Sequence, residues 1–307
     1  MNTEALLVTA EIQSDIEAIE ENQSLYEEIN FNNRTEAIDF LDFHVIDRIE
    51  GLLQNTGLPE SLGILKRHAE KVKYDLERID INLFKRLQEK IAAGIYKKDS
   101  FLKMTSLYFN SSPANIDQPD KIGYDNLDIF INGLLCGNTI VATTTKLEPE
   151  MVFYQKTPAR IVFEMAAKAQ FNQDDIFFDL GSGLGQVAIL INLISGVATK
   201  GIEYEPAYCA FARACASQLN LYDIEFINND ARNADYSTGT IFFMYTPFEG
   251  RILQEVLEIL QKESKQRTIR IFTYGPCSLL VGQQDWLYCS NGKGDDFYKL
   301  YEFISRN

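Results

Sequence analysis

The sequence predicts an α/β fold: a largely parallel sheet with helices on both faces and a terminal β-hairpin, preceded by an N-terminal α-helical domain. Three observations predict it. Between residues 176 and 274, short β-rich apolar runs alternate with helical patterns, the order a parallel sheet requires. Ile176-Phe177-Phe178-Asp179-Leu180 runs straight into Gly181-Ser182-Gly183-Leu184-Gly185, which reads as a buried strand, a tight turn and the start of a helix. The first hundred residues instead repeat apolar side chains at helical spacing among acids.

Taken in order, Ile12, Ile16 and Ile19 mark a first helix, and Phe40, Leu41, Phe43, Val45, Ile46, Ile49, Leu52 and Leu53 a broader apolar face. Asn55-Thr56-Gly57-Leu58-Pro59 stops that helix. A helix pair is expected over Ser61 to Ala93, ending at Gly94, with Leu62, Leu65, Val72, Leu76, Ile79, Leu83, Leu87 and Ile91 facing inward. The run of Ser, Pro, Asn and Asp from Asn110 to Pro119 breaks the pattern. The expected domains are therefore 1–110, helical; 111–150, a linker; and 151–307, the α/β domain. Within the linker, Tyr124 to Leu135 reads as a short helix ended near Gly137, and Thr139-Ile140-Val141-Ala142 as an extended piece or strand. Thr157-Pro158 is a helix start, a hydroxyl followed by proline, for a helix from Ala159 to Ala169.

Strands are then expected at Ile176 to Asp179, Thr199 to Glu203, Ile224 to Ile227, Thr240 to Tyr245 and Thr268 to Tyr274. Helices are expected at Leu184 to Leu193, Pro206 to Leu219 and Gly250 to Lys262. Asn291-Gly292-Lys293-Gly294 reads as the turn of a hairpin between Asp285 to Ser290 and Asp296 to Ile304.

The chemistry collects around the glycine turn. Such a turn needs backbone conformations that glycine adopts cheaply, and it lets a ligand approach the main chain. The third glycine of a dinucleotide fingerprint falls three residues after the second, whereas Gly185 follows Gly183 by two. That spacing disfavours a nicotinamide dehydrogenase. Asp179, two residues before the first glycine, repels a phosphate and attracts an ammonium group, so a ligand with an amino-acid end fits best. Glu203 ends the next strand about 20 residues on, where a carboxylate receives ribose hydroxyls. Asp230 follows one strand later, where an adenine amino group can be received. Taken one at a time, Glu203 and Asp230 are equally readable as solvated acids or helix caps; the ordered set favours a ligand.

This set, D-x-G-x-G-x-G with the acids of Gly201-Ile202-Glu203 and Asp230-Ala231, resembles the class I, seven-stranded Rossmann-like methyltransferases that bind S-adenosylmethionine (SAM). The resemblance implies that Asp179, Gly181 and Gly183 hold the methionine end, Glu203 the ribose and Asp230 the adenine. Ser182, Gly185, Tyr204 and Ala231 are the neighbouring residues of the same motifs. Tyr154 to Thr157, Asp179 to Val187 and Phe243 to Gly250 are further similar to the non-SET nucleosomal histone-lysine methyltransferases. There the residues matching Tyr154 and Thr157 close over SAM, and the one matching Gln186 contacts it. Met244-Tyr245-Thr246-Pro247-Phe248-Glu249-Gly250 departs from the asparagines and phenylalanines of that family's lysine channel. Tyr245 and Thr246, with Glu249 as a proton acceptor, are the acceptor-side candidates. Structural roles for the last two are open, because proline restricts the residue before it and an acid suits a helix start.

Of 307 residues, 46% are hydrophobic, enough for two cores. The net charge of −15 divides unevenly, −12 over residues 1–60 and +5 over 61–103, so nucleic acid is disfavoured as a substrate outside the basic stretch. Cys136, Cys209, Cys215, Cys277 and Cys289 are odd in number and scattered, which suits reduced thiols in a cytoplasm. His44 and His68 lie at no ligand spacing, so no metal is expected, and no apolar run reaches membrane-spanning length. The sequence thus points to a cytoplasmic SAM-dependent methyltransferase acting on a protein side chain. A small-molecule acceptor is the alternative, and a non-catalytic SAM-binding module with a partner-binding helical domain is another. The helical domain could also form a homodimer contact.

Overall fold

The computed structural model describes residues 3–55, 59–109, 123–135 and 140–306. The chain forms two compact units, residues 1–87 with 107–110, and residues 88–106 with 111–307. The linker run from Asn110 to Pro119, Cys136, Gly137, Thr139 and the Thr56-Gly57-Leu58 breaker lie outside the described residues.

The first unit is built from α1 (Thr3–Glu20), α2 (Phe31–Phe40), a π-helical turn (Leu41–Ile46), α3 (Asp47–Asn55) and most of α4 (Pro59–Ala92). The expected helix pair over 61–93 is one 34-residue helix. Nothing after Gly63 interrupts it, and Leu62, Leu65, Ala69, Val72, Leu76, Leu83, Leu87 and Ile91 hold one buried face throughout. Ile12, Ile16, Leu41, Val45 and Ile49 pack against that face. Arg34 is fully buried among them. Its guanidinium meets Asp80 at 2.6 Å and donates to the carbonyls of Leu25, Glu27 and Glu28.

The second unit takes the end of α4 and most of α5 (Asp99–Phe109), a helix that periodicity alone did not mark, followed by α6 (Asn126–Leu134) and α7 (Ala159–Ala169). Asp125 caps α6, and Asp128 in its first turn reaches across to accept the backbone N–H of Ala159 at 2.7 Å, so one acid sets the start of the next helix. Residues 140–142, expected as an extended piece, have no regular structure.

Seven strands follow: β1 (Ile176–Leu180), β2 (Ala198–Glu203), β3 (Ile224–Asn228), β4 (Ile241–Met244), β5 (Arg270–Thr273), β6 (Leu287–Cys289) and β7 (Tyr301–Ser305). Between them lie α8 (Gln186–Ser195), α9 (Pro206–Gln218), α10 (Gly250–Ser264) and α11 (Cys277–Gly282), the last not foreseen. The order is β3-β2-β1-β4-β5-β7-β6; the pairings among β1 to β5 are parallel, and β7 runs antiparallel to both neighbours. The terminal pair is present, but no tight turn joins it. Asn291 donates to Leu300 O and accepts from Glu302 N–H, closing a longer loop, so Asp296 to Leu300 stay out of the strand. The order reverses between β1 and β4, and a crevice at that switch point opens beyond the strands' carboxyl ends.

Candidate active site

β1 delivers Asp179 to the switch point, where it is 3% exposed. Among the described residues its Oδ2 has no hydrogen-bond partner. Burial, and next the neighbouring Glu203 charge, push its carboxyl up to about 8, against a lowering by the N–H of Ala188. Without a ligand, Asp179 is therefore largely protonated at neutral pH. A buried cation would reverse that.

The glycine turn explains itself through its neighbours. Gly181 has φ +77°, and a Cβ there would stand 2.2 Å from the Cβ of Pro247. Gly183 has φ +53°, and its Cβ would stand 2.1 Å from the ring of Tyr154. Both positions thus demand glycine for conformation and for space. Gly185 faces the other way, where a Cβ would strike Phe226 and Ala212, so its role is close packing of α8 and α9 on the sheet. Ser182 is buried with an unpartnered Oγ turned toward Gly201.

Glu203 ends β2 and clamps the turn: Oε2 accepts from Gly183 N–H at 2.6 Å and Oε1 from Glu205 N–H at 2.8 Å. Burial raises its pKa, and those backbone donors oppose the rise. Asp230, past β3, accepts from the N–H and the guanidinium of Arg232, which holds its carboxyl below the usual range. Arg232 also reaches Glu148 at 2.8 Å. Any amino group brought to Asp230 must share it with that arginine.

One cleft brings together Tyr154, Gly181, Glu203, Tyr204, Asp230, Ala231, Tyr245 and Thr246. Sequence reasoning missed much of its remaining wall, including Met151, Val152, Tyr208, Pro247 and Phe248. Val152 N–H donates to Pro247 O and Glu249 N–H to Glu150 O, so residues 150–152 are laced to the loop after β4. Tyr154 packs against Tyr208 with ring centres 5.3 Å apart and the rings tilted by 59°, and burial raises its pKa. Thr157 and Gln186 lie off the cleft; Gln186 Nε2 donates to Thr157 O at 2.8 Å, tying this segment to α8. Glu205, also missed, accepts from Thr144 Oγ1 at 2.6 Å and Thr145 N–H at 2.8 Å and caps α9. Burial works to raise its pKa, and these donors outweigh it, bringing it down to about 2.

The acceptor-side candidates separate. Tyr245 forms part of the cleft wall, and burial, then the nearby Tyr124 and Tyr274, push its hydroxyl up to about 12, so at neutral pH it keeps its proton. Thr246 has φ +39°, and its Oγ1 turns inward to accept from Cys277 N–H at 3.3 Å. Glu249 is exposed at the N-cap of α10 and does not line the cleft.

Residues 149–273 match the family model described as "Histone methylation protein DOT1". No curated protein matches. Among solved structures, an RNA methyltransferase from Salinibacter ruber in complex with S-adenosyl-L-homocysteine is 24% identical over 49% of this chain and 92% of its own, with a TM-score of 0.39. A SAM-dependent methyltransferase from Geobacter sulfurreducens in complex with the same product is 22% identical over 38% of this chain and 48% of its own, with a TM-score of 0.32. Precorrin-6y C5,15-methyltransferase from Geobacter metallireducens is 15% identical over 51% of this chain and 93% of its own, with a TM-score of 0.39. The family match covers the glycine turn and all three carboxylates, and this segment is a SAM-dependent methyltransferase domain of the class I fold.

Proposed function

We propose that the protein transfers a methyl group from SAM to a nucleophile on a protein side chain. One observation carries the reading: the buried, unpartnered Oδ2 of Asp179 lies at the glycine turn after β1, and the next two strands of the sheet bring Glu203, at the end of β2, and Asp230, just past β3. The residues fit the cofactor. Asp179 would receive its ammonium group, Glu203 its ribose hydroxyls and Asp230 its adenine amino group, with Tyr154 and Tyr204 beside them. Bound SAM supplies a sulfonium methyl open to in-line displacement, which needs positioning more than acid–base assistance.

Tyr245, protonated and at the cleft wall, orients the acceptor by hydrogen bond. Tyr154 and the laced segment 150–152 cover the turn and keep water from competing. A protein acceptor is supported by the name of the matched family and by exposed aromatic rings, Phe153 on the cleft wall and Tyr124 and Tyr298 near Tyr245. Cys209, Cys215 and Cys277 are buried free thiols, which suits a cytoplasmic protein. Among the described residues no helix is long and apolar enough to cross a membrane.

Calorimetry with S-adenosylhomocysteine and tritiated methyl transfer to a fractionated lysate test the proposal. Label in the protein fraction is expected. Label only in small molecules replaces the acceptor, and product binding without any transfer leaves a non-catalytic module. A folded protein that fails to bind the product ends the proposal.

A further inference from the structure

Arginines drawn into this fold end on carboxylates. Arg34 meets Asp80, Arg232 meets Asp230, Arg267 meets Glu263 and Arg270 meets Glu302, each within 2.8 Å. Arg160, in the first turn of α7 and 8% exposed, does not. Among the described residues its Nε has no partner, and its guanidinium makes one long hydrogen bond, Nη2 to the Tyr274 hydroxyl at 3.4 Å. The carboxylate of Asp128 lies in the neighbourhood, but both its oxygens are taken by backbone N–H groups of Ala159 and Asp125. A buried guanidinium whose Nε is left unpartnered is costly.

The surroundings say where that group lies. Tyr274, just past β5, packs against Tyr245, just past β4, with ring centres 5.2 Å apart and the rings tilted by 48°. The Arg160 charge is felt at both tyrosines. Tyr124 and Tyr298, each about half exposed, stand close enough to Tyr245 to affect it and form the outer rim. Of this group Tyr245 lines the cleft, and on the methyltransferase reading its side is the acceptor side.

We propose that Arg160 and Tyr274 form a carboxylate-binding subsite beside Tyr245, filled by a carboxylate on the methyl acceptor. The Nε and Nη2 hydrogens form the planar fork suited to a carboxylate, and it is with this same pair of nitrogens that Arg34 grips a single oxygen, Oδ1, of Asp80. The Tyr274 hydroxyl, now on Nη2, turns to donate a further bond. The acceptor is thereby an acidic one, held by its carboxylate while Tyr245 addresses the nucleophile. The assignment of sides rests on the methyltransferase reading; the subsite itself does not.

The test uses the full chain and the variants R160M, R160K and Y274F, each checked for an unchanged melting temperature. With saturating S-adenosylhomocysteine, N-acetylglutamate is titrated against N-acetylglutamine, read by tyrosine fluorescence. Saturable binding of the acid alone is expected, weakened at least about tenfold in R160M and less in R160K. Calorimetry of S-adenosylhomocysteine and of methylthioadenosine, which lacks the amino-acid end, identifies the source. Unchanged affinities in R160M assign the subsite to the acceptor. A loss confined to S-adenosylhomocysteine assigns it to the cofactor's own carboxylate and overturns the acceptor. A folded R160M that alters neither ligand overturns the subsite. Wild type that binds N-acetylglutamate but no S-adenosylhomocysteine keeps the subsite and removes the methyltransferase reading instead.

Discussion

Asp179→Asn separates the cost of the buried carboxyl from its use. In the folded protein the group titrates near 8 against an ordinary 3.8, so between those values the folded chain holds a proton that the unfolded chain has released. Stability from this group is therefore greatest below pH 3.8 and falls as pH rises toward 8. Each tenfold difference in proton affinity between the two states is worth about 1.4 kcal/mol, which sets a ceiling of roughly 4 kcal/mol at pH 7. Water entry and relaxation around the charge reduce this to about half. Asparagine keeps the shape and cannot ionise. Urea unfolding at pH 5 and pH 8 is expected to show the variant gaining on wild type as pH rises. The same variant has lost the anion that an ammonium group needs, so S-adenosylhomocysteine affinity falls by about 2 kcal/mol, roughly 30-fold. At pH 7, binding to wild type releases a proton from Asp179, visible as a buffer-dependent heat that the variant lacks. Parallel stability profiles for the two proteins, with affinities within twofold, would refute the reasoning.

Gly183→Ala places a methyl group inside the Tyr154 ring at a left-handed backbone position, and is expected to swing that ring away and cost at least about 1–3 kcal/mol of stability. Calorimetry and thermal melts read both consequences. Glu203→Gln keeps an acceptor for Gly183 N–H but turns its amide NH2 against Glu205 N–H and forfeits charge-assisted bonds, so product affinity should drop about tenfold and the melting temperature should fall as well. Gln186→Ala cuts the tie to Thr157 and is expected to raise the SAM KM more than it lowers kcat. Arg34→Met strands Asp80 and three carbonyls in the helical unit, and denaturant unfolding should report a loss of about 3–5 kcal/mol.

What could be read from the sequence was whatever depends on local pattern. The strand ending in Asp179, the glycine turn and the helix after it lie close together in the chain, and each residue type has one physical use there. Glu203 and Asp230 were legible because a parallel sheet sets acids at successive strand ends side by side. Other features depend on partners remote in sequence. No periodicity shows that Arg232 will neutralise Asp230, that Glu205 will anchor Thr144 and Thr145, or that Glu150 will run beside Glu249. Glu249 read plausibly as a proton acceptor because the loop after β4 has to carry something; the cap of α10 claims its backbone instead, and its side chain is left in solvent. The long loop between β6 and β7 looked like a hairpin turn because its glycines carry the signal, while the bonds made by Asn291 decide its course.

The resting arrangement of the three carboxylates bears on how a ligand enters. Glu203 gives an oxygen each to Gly183 and Glu205, Asp230 is engaged by Arg232, and Asp179 Oδ2 alone is without a partner. Two of the three are thus satisfied before anything binds, and their new bonds must be shared or exchanged, so they contribute placement more than net affinity. Asp179 differs, because its burial is uncompensated. The ammonium end of a ligand relieves a cost that folding has already incurred, and the largest share of cofactor affinity should reside there. The same logic applies at Arg160, whose buried Nε is likewise left without a partner among the described residues.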